Sequence, residues 1–153
     1  MKLAAALLTP ILMLLPSCAS RGPLDTQEII EYDAFVRKAD PQKVLPRMEV
    51  MADEPYILGG EKAENLTLEA LALLRYLGDR RFAAELEKLT PRQLSATRLF
   101  LAPQLLGIPK GQWTSTRFPR TVALISGSRK ITDWPTLEAD RRAGGLTTGD
   151  EWP

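Results

Sequence analysis

Leu66, Ala70, Leu73, Leu74 and Leu77 recur at i, i+4, i+7, i+8 and i+11, and no other feature of the chain constrains its fold as strongly. That spacing lines one face of a helix, whereas a strand would need alternation at every second residue. Asn65 is placed to cap the start of this helix, and Gly78 to supply a left-handed residue at its end. Asp79 then caps a second helix carrying Phe82, Ala83, Leu86 and Leu89. Thr90-Pro91-Arg92-Gln93 combines capping-box spacing with proline at the favoured first position, so a third helix opens there with Leu94, Leu99 and Leu101 on its apolar side.

Upstream, Ile29, Tyr32, Val36 and Ala39 predict an amphipathic helix over 26–38, with Asp25 and Glu28 in capping-box spacing before it. Asp40-Pro41 ends it, and Pro46 predicts a short or broken helix over 42–52, because proline removes a backbone donor and clashes with the preceding turn. Downstream of Pro103, Gly107, Pro109, Gly111 and Pro119 interrupt regularity. Residues 121–125 read as a short strand or buried segment, and Asp133-Trp134-Pro135 starts a last helix reaching Arg142. The fold class is therefore mainly α, a small helical bundle (25–106) with an irregular C-terminal extension (107–143) packed on it and a flexible tail (144–153).

The first 17 residues stand apart from this domain. Lys2 precedes a 13-residue stretch, 3–15, that is apolar except at Thr9 and Pro10, and small residues follow. This is the layout of a secretory signal peptide, and it falls short of the roughly 20 apolar residues a membrane-spanning helix needs. Leu15-Pro16-Ser17-Cys18 resembles the lipobox of bacterial lipoproteins, matching at Leu15, Ser17 and Cys18 and departing at Pro16. The resemblance implies cleavage before Cys18, lipid on its sulfur and amine, and a short lipidated tether (18–24) ahead of the domain. Membrane attachment through Cys18 and residence at the cell membrane or outer membrane follow from it. Ser17-Cys18-Ala19 also fits an ordinary signal-peptidase site, which would release a periplasmic or secreted protein. Cys18 is the only cysteine, so it can form no internal disulfide. Residues 68–89, with a Gly-Asp turn between two apolar helices, are similar to a single HEAT-type helical hairpin, of which the chain holds one clear copy.

The composition narrows the chemistry. The chain has no histidine, the commonest general base and neutral metal ligand, and no EF-hand, Walker or dinucleotide loop. No cofactor or metal is expected, and no spacing selects a catalytic pair. Asp53-Glu54 are adjacent loop acids, and Lys130 lies two residues after Ser128 and four after Ser126, which is not the S-x-x-K spacing. Without Lys2 the chain carries 19 basic and 19 acidic residues, a balance that excludes the broad basic footprint of a nucleic-acid binder.

One asymmetry remains. Residues 103–132 contain no Asp or Glu, while Lys110, Arg117, Arg120, Arg129 and Lys130 are interleaved with Trp113 and Phe118. Cations with aromatics suit an anionic glycan or a lipid headgroup. The alternative is that this segment packs against the acidic stretch 49–69. Arg80-Arg81 sits in a turn and reads as solvated. The reading is a binding, scaffolding or inhibitory module of the cell envelope, its partner an envelope protein or anionic glycan or lipid; the competing class is an enzyme acting on cell-wall glycan or peptide.

Overall fold

The computed structural model describes residues 27–53, 60–108 and 117–146; Asp25 and Cys18 lie outside them. Among the described residues the fold is helical throughout, with no strand. Two short helices open it, α1 (Gln27–Glu31) and α2 (Asp33–Val36). The single helix expected here is divided at Tyr32, whose N–H reaches only three residues back, to the Ile29 carbonyl at 3.2 Å. Next come α3 (Pro41–Val44) and α4 (Arg47–Ala52), separated at Pro46 as the missing N–H requires. Asp40 caps α3, its carboxylate accepting from the Gln42 N–H at 3.0 Å.

The leucine stripe forms α5 (Glu61–Leu77), in which Leu66, Ala70, Leu73 and Leu74 are at most 1% exposed. The helix starts four residues before Asn65, with Gly60 as its N-cap and Glu61 and Glu64 favouring the positive end of its dipole. Asn65 is thus not the cap; its Oδ1 accepts from the Tyr32 hydroxyl at 3.0 Å, tying α5 to the α1–α2 junction. Gly78 turns the chain with φ +76 and ψ 167, a positive-φ but extended conformation rather than the left-handed helical one. It leads directly into α6 (Asp79–Leu86), which buries Phe82, Ala83 and Leu86.

Central to the bundle is α7 (Pro91–Leu105), which packs against α4, α5 and two later helices, α8 (Pro119–Ser126) and α9 (Trp134–Ala143). Its capping box is as the sequence predicts: Gln93 N–H donates to the Thr90 hydroxyl at 3.2 Å, and Thr90 N–H to Gln93 Oε1 at 3.1 Å. Pro103 costs the last turn one hydrogen bond, yet the helix continues because Leu101, Ala102 and Leu105 are completely buried around it. Each such leucine contributes roughly 1.5–3 kcal/mol by leaving water.

The extension expected to be irregular carries α8 and α9. Residues 121–125 are helical, not a strand, and Thr121, Ile125, Ile131 and Leu137 enter the common core. Helix α9 begins where Asp133-Trp134-Pro135 places it. The Asp133 carboxylate accepts from the Thr136 N–H at 2.8 Å and its hydroxyl at 2.7 Å, and these bonds, backbone first, hold its pKa below the ordinary aspartate value.

A polar seam fastens these three helices. Arg98 of α7 donates to Asp140 Oδ1 of α9 and to the Leu124 carbonyl of α8, both at 3.0 Å, while Ser95 donates to Asp140 Oδ2 at 2.9 Å. The Arg98 and Asp140 side chains are only 15% and 8% exposed, so this pair is nearly dry and depends on those extra bonds for compensation. No helix among the described residues is long and apolar enough to cross a membrane.

Candidate functional site

The acid-free segment is not a single patch. Lys110 and Trp113 lie outside the described residues. Arg117 and Arg120 sit at the start of α8, whereas Arg129 and Lys130 follow its end. Six helical residues, 121–126, lie between the two pairs, a rise of about 9 Å. Phe118 does not present its ring to solvent: it is 3% exposed, part of the core, with the Arg117 guanidinium 5.2 Å from the ring centroid. Arg129 donates to the Ala139 carbonyl at 3.0 Å and so fastens the α8–α9 turn. Lys130 is exposed at φ +50, within that same turn.

The start of α8 owes its geometry to a residue about forty positions upstream. Phe118 offers it no side-chain cap, and Pro119 at the first position has no N–H to satisfy. The next two donors, Arg120 N–H and Thr121 N–H, go to Asp79 Oδ2 at 3.0 Å and Oδ1 at 2.8 Å. Asp79 was expected to cap its own helix. Instead it occupies the first position of α6, whose N-cap is Gly78, and its carboxylate reaches across to cap α8. The positive end of the α8 dipole favours the charge it receives.

This bridge brings together residues that the sequence separates. Arg80 and Arg81 immediately follow Asp79, and Arg117 and Arg120 flank the turn that Asp79 holds. All four are exposed. The starts of α6 and α8 therefore form one cationic edge, and the carboxylate joining them is engaged with two backbone amides. Sequence reasoning placed Arg80 and Arg81 in a solvated turn; no local pattern signals their neighbours.

The acidic stretch 49–69 finds other partners. Arg92 of α7 donates to Glu49 at 3.0 Å and also to the carboxylate of Asp53 and the carbonyl of Gly145, while Arg47 pairs with Glu69 at 3.1 Å. Three of its carboxylates are thus engaged from α4 and α7.

An open groove of about 490 Å³ lies on a different part of the bundle, lined by Tyr32, Phe35, Met51 and Leu66, with Glu31, Lys62, Arg47 and Glu69 at its edges. Phe35, 61% exposed, stands at this groove. Among the described residues, no three His, Cys, Asp or Glu side chains come together as a metal site would need. Among the described residues, the acids whose pKa values move are shifted downward. Glu85 is lowered chiefly by its hydrogen bond from Lys88, against the effect of desolvation and with help from Gln42, and so holds its charge as Asp133 does. A general acid at neutral pH needs the opposite shift. Asp53, considered above as half of an acid pair, is committed to Arg92. No protein-family model, curated protein or solved structure matches this chain.

Proposed function

We propose that the chain is an exported, lipid-anchored envelope protein whose helical domain works as a binding module for anionic envelope material. Leu15-Pro16-Ser17-Cys18 supports the anchor, on the strength of its resemblance to a lipobox. The observation that carries the binding reading is the exposure of Arg117 and Arg120 at the start of α8, within a stretch, 103–132, that holds no acid. Guanidinium groups are suited to phosphate and carboxylate because their fork of donors matches two acceptor oxygens at once.

Two measurements test the proposal. Labelled fatty acid fed to cells should be incorporated into the wild-type chain and not into Cys18→Ala; intact-mass detection of an unmodified chain beginning at Ser20 overturns the anchor. Retention of the purified protein on anionic envelope fractions should fall with salt, because exposed charges are screened over about 8 to 10 Å at physiological ionic strength. Reversal of Arg117 and Arg120 to Glu should reduce that retention without unfolding the domain. Retention equal to wild type overturns the binding surface.

A further inference from the structure

We infer that the starts of α6 and α8 act as one membrane-facing surface, on which Arg80, Arg81, Arg117 and Arg120 engage the phosphates of anionic lipid headgroups. The inference rests on the anchored-binding reading above and extends it to residues on a second helix and to one class of ligand. Its basis is the Asp79 bridge. The Asp79 side chain is hydrogen-bonded to Arg120 N–H at 3.0 Å, and the Arg80 Cα follows the Asp79 Cα by one 3.8 Å step. Arg81 completes the first turn of α6, and Arg117 stands just ahead of α8 over the Phe118 ring.

Charge accounting favours an anion at this edge. Four exposed arginines flank the starts of α6 and α8, against two carboxylates, Asp79, which α8 amides hold, and Glu85, which Arg81 faces one turn along α6, so the edge keeps a net positive charge. Residues 103–132 add no acid. Because the chain after residue 17 is balanced in charge overall, this concentration of cations makes the domain electrically directional, with a preferred face toward a negative surface. The Phe118 ring is buried beneath Arg117, so contact is electrostatic rather than by ring insertion.

Lipid is favoured over glycan by reach. Nine backbone steps separate Cys18 from Gln27, where α1 begins, and a chain of that length reaches at most about 30 Å. An anchor at Cys18 would hold the domain within that distance of the headgroups, at an effective concentration in the millimolar range. Each arginine at such a surface contributes about as much as a five-fold change in binding. A four-arginine face would therefore orient the domain on the bilayer without any further pocket.

The experiment uses the chain from residue 18 onward with Cys18→Ser, so that no lipid contributes. Co-sedimentation is measured with vesicles of phosphatidylglycerol and phosphatidylcholine, with phosphatidylcholine vesicles alone, and with soluble polyphosphate as competitor. The expected result is binding to the anionic vesicles only, lost at high salt. R117E/R120E and R80E/R81E should each weaken binding at least about ten-fold, while R37E/K38E, which reverses two exposed cations in the turn after α2, should leave it unchanged. Thermal unfolding checks that each variant is folded, and R80Q/R81Q, with a smaller loss, replaces R80E/R81E if that one is not. Wild-type binding by R80E/R81E or R80Q/R81Q beside a weakened R117E/R120E overturns the two-helix surface and spares the reading it extends. Tight polyphosphate binding with no vesicle binding overturns the lipid assignment, and absence of binding to either at low salt overturns both.

Discussion

Gly144 and Gly78 show how differently a single methyl group can act in this molecule. A Cβ at Gly144 would lie 2.5 Å from both Cβ and Oγ of Ser95, whose hydroxyl is committed to Asp140. At Gly78 nothing lies within 4 Å, but φ +76 with ψ 167 belongs to a region almost closed to residues with a Cβ. Both Gly→Ala changes should therefore destabilise by about 1 to 3 kcal/mol, one through collision and the other through backbone strain. A double-mutant cycle separates them. The Ser95→Gly, Gly144→Ala double change should cost markedly less than the sum of the two single changes, while Ser95→Gly leaves the cost of Gly78→Ala unaltered. Additive losses for the Ser95 and Gly144 pair would show that the close approach is not what excludes a side chain there.

Among the elements, local signals announced some helices and failed for others, and the distinction is physical. The stripe on α5, the break at Pro46, the Thr90 capping box and the Asp133 start of α9 all carry their cause within a few residues, so spacing alone exposed them. Helix α8 was missed because its cap comes from Asp79, and a short segment with proline at the front and glycine behind shows too little periodicity to declare itself. The same remoteness hid half of the cationic edge: Arg117 and Arg120 stood out by composition, whereas Arg80 and Arg81 join them only through the fold. Asp79→Ala should cost about 1 to 2 kcal/mol in urea unfolding, the range for loss of a good helix cap, with Asp79→Asn intermediate because one carbonyl oxygen remains to accept. Selective loss of amide protection at Arg120 and Thr121 would locate the damage at α8; unchanged protection there would deny Asp79 its capping role.

For the whole molecule, composition misled about residues 144–146. The glycine and threonine content of 144–153 predicts a tail that starts at Gly144, yet Leu146 is 4% exposed, its N–H donates to the Arg141 carbonyl at 3.2 Å, and Gly145 supplies a carbonyl to Arg92. Ending the chain at Gly144 should consequently lower stability by about 2 kcal/mol or more, close to the cost of emptying a buried leucine site, and Leu146→Ala should account for most of it. Unfolding curves that superimpose on wild type would return residue 146 to the tail. The Arg92 side chain has a wider consequence. Its contact with Glu49 closes a separation of 43 residues, and the Arg98–Asp140, Arg75–Asp33 and Asp79–Thr121 contacts each close one of 42. Bundles stitched by neighbouring hairpins fold quickly because little chain entropy is lost before contacts form. Here α4 and α9 meet α7 across long intervals of chain, so loop-closure entropy is lost before those contacts form, and stopped-flow refolding should be slower than the helical content alone suggests.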